Sequence, residues 1–241
     1  MLSKNELKYI QSLCHKKQRT AERLFIVEGV KLVQELVIAG YPVKNIYATE
    51  QWVMPKGNYH VTRISEQELE KISSLQTPNQ VLAIVQQQEP ADEPQWNQKL
   101  TLVLDGIQDP GNMGTIIRIA DWFGIDQIIA SEDTVELYNP KVIQSTMGSF
   151  MRVKVWYRDI ASLLGKCEVP IYGAVLEGKS MYEVKPPETG ILVIGNESKG
   201  IREELQSLIQ ERITIPRIGQ AESLNAAVAL GILLSQFRRP H

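Results

Sequence analysis

From residue 100 onward, short runs of apolar, β-favouring residues at 100–104, 127–130, 171–176, 191–194 and 213–215 alternate with stretches of helical periodicity. Runs this short and this uniformly apolar read as strands buried on both faces, and parallel strands need a crossover between each pair. The alternation therefore predicts an α/β architecture, a largely parallel sheet covered by helices on both sides. In such sheets ligands gather at the carboxyl ends of strands, so the residues just after each run carry the functional information.

Before residue 100 the pattern differs. Leu7, Ile10, Leu13 and Cys14 recur at helical spacing from Lys4 to about Arg19, and Val30, Val33, Leu36 and Val37 repeat it, so two amphipathic helices are expected. β-favouring runs at 45–49 and 81–86 flank a helix that Ser65 and Glu68 can open with a capping box. Residues 1–88 are thus expected to form a small α/β domain. Periodicity then vanishes among prolines and polar residues, which marks 89–99 as a linker and 100–241 as a second domain.

A chain of 241 residues that is 43% hydrophobic and 22% charged has the balance of a globular protein. Its net charge of −2 excludes a protein that coats nucleic acid by sheer positive charge, so any such contact must come from local patches. Cys14 and Cys167 lack CxxC spacing and are expected as buried, reduced thiols. His15, His60 and His241 form no cluster that suggests metal or triad chemistry. With no apolar leader and no run of membrane length, a cytoplasmic protein is expected.

Three loops at expected strand ends stand out. The first, from Asp105 through Pro110, Gly111, Asn112 and Gly114, leads into a helix bearing Arg118. Its glycines let backbone approach a ligand while Asn112 and Arg118 project, although Pro110-Gly111-Asn112 also serves as a plain turn. The second, Gly195-Asn196-Glu197-Ser198-Lys199-Gly200, has the glycine spacing of a phosphate-binding P-loop, but Ile201-Arg202 stands where Lys and Ser or Thr belong. Glu197 is equally explained by a helix start, where a carboxylate favours the dipole. The third runs from Ile215-Pro216 through Gly219 to Ser223-Leu224-Asn225 and enters an apolar helix at 226–237. Ser223 or a neighbour can cap that helix; an asparagine heading it requires exposure or a specific hydrogen-bond partner.

Taken in order, NxGxxxR from Asn112, GNExxG from Gly195 and IPxxGxxxSLN from Ile215 resemble the three motifs of the SpoU/TrmH branch of the SPOUT RNA methyltransferases. The resemblance extends from Leu100 to His241, and Phe25-Ile26-Val27-Glu28-Gly29 with Thr77-Pro78-Asn79-Gln80-Val81-Leu82-Ala83 looks like the family's appended RNA substrate-binding module. It implies a SPOUT α/β-knot domain whose mostly parallel sheet ends in a deep trefoil knot, S-adenosylmethionine as cofactor, and a homodimer. By position, the resemblance puts the cofactor pocket at Leu176, Gly195, Asn196, Ile215 and Leu224, and the active site at Asn112, Arg118, Glu197, Ser223 and Asn225. Two positions depart from the family pattern. Arg217 follows the third-motif proline where an apolar residue is common, which leaves it to RNA rather than cofactor, and Ala174 lacks a hydroxyl that some members place near the cofactor.

The activity so implied is methylation of a ribose 2′-hydroxyl in structured RNA, ribosomal RNA being favoured over transfer RNA. Methyl transfer from a sulfonium is an in-line displacement that needs alignment and no metal. Arg118, with a reference pKa of about 12.5–13.8, is a poor base and is assigned to an RNA phosphate. Ser223 and Asn225 then position the hydroxyl or cofactor, Asn112 fixes Arg118 or the ribose, and Glu197 orients a cationic or donor partner; the proton acceptor stays open. Lys16, Lys17, Arg19 and Arg23, opposed only by Glu22, form a basic cluster suited to RNA phosphates, or an ordinary solvated surface. The rival reading is a catalytically inactive RNA-binding or assembly protein of the same fold, against which the presence of all five polar positions counts. A nucleotide-dependent enzyme is disfavoured by the incomplete P-loop and the absence of GxGxxG after 100–104.

Overall fold

The computed structural model describes residues 1–55, 57–96, 99–185 and 187–239, so residues 97–98 of the expected linker and His241 lie outside the described residues. The N-terminal half runs α1 (Lys4–Ser12), α2 (Lys16–Glu22), β1 (Leu24–Glu28), α3 (Val30–Ile38), β2 (Val43–Ala48), β3 (Val61–Arg63), α4 (Glu66–Ile72) and β4 (Val81–Gln86). The C-terminal half runs β5 (Leu100–Asp105), α5 (Pro110–Trp122), β6 (Gln127–Ala130), α6 (Pro140–Thr146), β7 (Lys154–Tyr157), α7 (Ile160–Leu164), β8 (Ile171–Ser180), β9 (Gly190–Gly195), α8 (Glu203–Gln206), β10 (Glu211–Thr214) and α9 (Ala226–Phe237). Two compact units result. One joins Met1–Gln88 with Tyr138–Gly148; the other joins Glu89–Leu137 with the chain from Ser149 onward.

In the first unit a four-stranded sheet has the order β1-β4-β2-β3, antiparallel except for the β2–β3 pair. The helix expected over Lys4 to Arg19 is two helices. Ser12 Oγ donates to Tyr9 O at 2.6 Å, and the carbonyl of Leu13 accepts the buried Arg19 guanidinium at 2.8 Å, so a side chain replaces the helical ladder at the break. The Ser65–Glu68 capping box forms as expected, each backbone N–H donating to the other's side chain. Although Tyr138 lies far along the chain, its ring packs on Phe25 of β1 with centroids 4.5 Å apart.

The second unit contains the expected parallel sheet, six strands in the order β10-β8-β9-β5-β6-β7 with every pairing parallel. Its inner strands β5, β6 and β9 are buried on both faces because helices cover both, and Val103, Ile129, Ile171, Ile191 and Val193 pack with Ile160, Leu164 and Leu205 of the flanking helices. β7, which the apolar pattern did not mark, is one edge of the sheet. The expected linker covers that edge: Asp92 accepts Lys154 Nζ at 2.8 Å and, through its carbonyl, Trp156 Nε1 at 2.9 Å, while Gln95 and Gln127 exchange two hydrogen bonds.

β8 pairs with β10 in two registers. Arg212 lies opposite Gly173 and the next residue, Ile213, opposite Lys179, so residues 174–178 of β8 loop out of the ladder. Gly178 sits where a Cβ would lie 2.6 Å from the Arg212 carbonyl oxygen, and only glycine permits the strands to rejoin there.

Candidate active site

The three motif loops lie at the carboxyl ends of β5, β9 and β10. Asp109 caps α5, accepting the Asn112 N–H at 2.8 Å, and Pro110 fills the first helical turn, where a missing N–H does no harm. This fixes Asn112 on the first turn. After β9 the chain doubles back at once: Asn196 and Gly200 exchange backbone hydrogen bonds, and a side chain at Gly195 would collide with the Gly200 backbone. α9 opens with Asn225, whose Oδ1 accepts the N–H groups of Ala227 and Val228 at 3.0 and 3.2 Å.

These local structures set the direction of a chain of hydrogen bonds. Because the Asn225 oxygen caps α9, its amide nitrogen points outward and donates to Asn112 Oδ1 at 2.7 Å. The Asn112 amide nitrogen, turned the other way, donates to Glu197 Oε1 at 2.6 Å. Glu197 Oε2 has no hydrogen-bond partner among the described residues, and Glu197 is half-buried. The three motifs, separated by 85 and 113 residues, thus meet in one polar string that ends in an open carboxylate oxygen.

Two expected residues stand outside that string. Six residues beyond Asn112, Arg118 is rotated about 120° around α5, exposed, and without a partner among the described residues. Ser223 is also exposed, and α9 takes its cap from Asn225 rather than from Ser223. Of the positions expected to hold a cofactor, Leu176 and Leu224 are 71% and 45% exposed, unusual for leucines. Leu176 lies in the segment that loops out of β8, its carbonyl accepting Thr214 Oγ1 at 2.9 Å, so it adjoins Ile215 at the end of β10. Apolar side chains beside strand-end backbone suit a flat ring with polar edges. Asn196 differs: its amide donates to the Gly106 carbonyl at 2.7 Å and its Oδ1 accepts the N–H groups of Ser198 and Lys199, so its side chain shapes the turn.

The pattern missed Asp105 and Arg202. Asp105, the last residue of β5, is 1% exposed and accepts the Arg202 backbone N–H at 2.7 Å and Nε at 2.5 Å. Burial works against the Arg202 charge, but the hydrogen bond and charge of Asp105, with Asp133 and Glu204 beyond, outweigh it and hold the guanidinium above its ordinary pKa. The available signal was a carboxylate closing an otherwise apolar strand, since a buried charge demands a partner.

In the first unit, Lys16, Lys17 and Arg23 are exposed, as a phosphate-binding patch requires. Arg19 does not join them: it is 2% exposed and directed to Leu13. A seven-residue amphipathic helix turns that position inward, so the cluster expected from sequence loses one member. Both cysteines are free and half-buried rather than fully buried, with burial raising each thiol pKa. Among the described residues, no group of three His, Cys, Asp or Glu side chains is placed to hold a metal, and no helix is long and apolar enough to cross a membrane.

The fold over nearly the whole chain is that of SpoU/TrmH-type SPOUT proteins. It matches a TrmH-family protein of Porphyromonas gingivalis (37% identical, TM-score 0.86, covering 99% of this chain and 98% of that one) and an AdoMet-bound rRNA methyltransferase of Sinorhizobium meliloti (27%, 0.86, 99% and 96%). The chain belongs to the SpoU rRNA methylase family, whose model matches residues 99–235, and residues 4–83 match an MRM3-like substrate binding domain. Among curated relatives, the 23S rRNA (guanosine(2553)-2′-O)-methyltransferase RlmP of Bacillus subtilis is 32% identical over 230 residues, 92% of either chain.

Proposed function

We propose that this protein transfers a methyl group from S-adenosylmethionine to a ribose 2′-hydroxyl of structured RNA, with ribosomal RNA as the substrate class. The observation that carries the reading is the string Asn225–Asn112–Glu197, which joins all three motif loops at the strand ends. The naming of the Bacillus subtilis relative supports ribosomal RNA.

When bound, S-adenosylmethionine supplies a methyl group activated by its sulfonium. The exposed Leu176 and Leu224 and the backbone at Gly195 and Ile215 suit its apolar ring and polar edges. Asn225 and Asn112 fix Glu197, and Oε2 of Glu197 receives the proton that the ribose hydroxyl gives up as its oxygen forms the new bond to carbon. Ser223 orients the hydroxyl, and Arg118 holds a phosphate of the RNA. Lys16, Lys17 and Arg23 bring phosphates to the first unit.

The active form is a homodimer in the cytoplasm. α5 and α9 pack together, and each leaves one apolar side chain exposed, Trp122 at the end of α5 and Val228 near the start of α9, that a second copy would cover.

Incubating the protein with labelled S-adenosylmethionine and unmodified total RNA, then digesting to nucleosides, tests the reaction. Label in a 2′-O-methylnucleoside is the expected result. Label confined to a base, or no transfer to any RNA, overturns it.

A further inference from the structure

The turn that carries Glu197 is held at both ends by one dipeptide. At its start, the Asn196 amide donates to the carbonyl of Gly106; at its finish, the Arg202 backbone N–H and Nε donate to the carboxylate of Asp105. Gly106 is itself fixed, its N–H donating to Ser131 Oγ at 2.8 Å. Asp105 and Gly106 close β5 and lead directly to Asn112, so the strand end that sets where Asn112 starts also sets where Glu197 stands.

We infer that Asp105 and Arg202 form a positioning clamp whose task is to hold Glu197 within hydrogen-bonding reach of Asn112. Both act through the turn, Asp105 from a buried position at the end of β5. A buried carboxylate is costly unless fully paired, and Asp105 is paired by two donors of a single residue, which couples that burial to one turn position. Arg202 reaches outward as well, its Nη2 lying 3.6 Å from Asp133 Oδ1, so its guanidinium bridges the second motif to the loop after β6. The seven residues 196–202 contain no helix and no long strand; Asn196 and Gly200 fold the turn on itself, and Asp105 and Gly106 anchor it to the sheet. Positional errors of about 1 Å are enough to lower turnover by roughly 100-fold.

The clamp rests on the methyl-transfer reading for its catalytic consequence but not for its geometry, and the test separates the two. The Asn112 side-chain amide, donating to Glu197, gives a displaced proton resonance in the free protein, assigned by its loss in Asn112→Asp. In Arg202→Met, which keeps the aliphatic stem, that resonance is expected to move to the position of a solvated asparagine. RNA methylation is expected to lose about 10- to 100-fold in kcat, with the KM for RNA nearly unchanged. Arg202→Lys, which restores a cation opposite Asp105, is expected to recover part of both readings. If Arg202→Met does not fold, Asp105→Asn takes its place with the same readings. An Asn112 resonance that stays in place in the folded variant overturns the clamp, whatever happens to turnover. A wild-type protein that transfers no methyl defeats the reaction, and the resonance alone then decides the clamp.

Discussion

Asn225 donates to Asn112 across 113 residues of sequence, and the same side chain caps α9 through its oxygen. One residue therefore serves helix stability with one atom and the active site with the other. Asn225→Asp separates these tasks, because a carboxylate still caps the helix but has no N–H to donate. Its melting temperature is expected to stay within a few degrees of wild type while methyl transfer falls at least about tenfold. Asn225→Ala loses both, adding about 1 kcal/mol of destabilisation. Thermal melting and transfer assays on the two variants check this.

Arg118, exposed and set apart from the Asn112 string, is expected to act on RNA rather than on cofactor or proton. Arg118→Ala should leave S-adenosylmethionine binding intact, weaken RNA binding, and reduce the slope of log affinity against log salt by about one. Calorimetry with the cofactor and RNA binding over a salt series make the measurement. An unchanged salt slope with lost turnover would instead put Arg118 at the reacting hydroxyl.

The basic patch of the first unit divides in the same way. Exposed Lys16, Lys17 and Arg23 are expected to matter for RNA and not for folding: the triple alanine variant should melt like wild type and bind RNA more weakly. Buried Arg19 is the reverse, since Arg19→Ala strips the Leu13 carbonyl of its donor at 2.8 Å and removes a packed stem. A destabilisation of about 1–3 kcal/mol follows, read as a lower denaturant midpoint.

Asp121 supplies a pH dependence with a definite sign. Burial disfavours its charge, but hydrogen bonds from Arg152 and Ser149 and the Arg152 charge more than compensate, so its pKa lies below the ordinary value. A carboxylate with a lowered folded pKa stabilises above its unfolded pKa, about 3.9, and that stability is lost as pH falls through the folded value. Asp121→Asn should therefore lower the melting temperature most at neutral pH and least in acid, which flattens the acid limb of melting temperature against pH. A steepened acid limb in Asp121→Asn would contradict the assignment.

The inner part of the parallel sheet was legible because β5, β6 and β9 are largely apolar runs, and the three loops were legible because glycine, proline and polar residues interrupt a β-favouring run at each. What joins the loops was not. Nothing near Asn112 in sequence indicates that its two amide atoms face opposite partners; that orientation follows from Asn225 being a cap, which only the folded α9 reveals. Arg118 carried its own signal, since a spacing of six turns it away from Asn112, but motif order masks helical angle. β7 and the short β3 escaped because edge strands need little apolar surface, and β7 is completed by the segment around Asp92. Arg19 was misplaced because a charged residue among charged neighbours reads as surface, and its inward direction depends on a helix break that Ser12 and Leu13 create.

Because residues 138–148 leave the second unit to pack with the first, neither unit corresponds to an unbroken stretch of polypeptide. Cutting the gene at the proline-rich segment would yield an N-terminal fragment missing the ring that covers Phe25. The C-terminal fragment would carry α6 with the apolar side chains of Val142 and Ile143 stripped of their cover. Production of the halves separately is thus a recipe for precipitation, and a soluble catalytic fragment calls for replacement of the 138–148 excursion by a short polar turn.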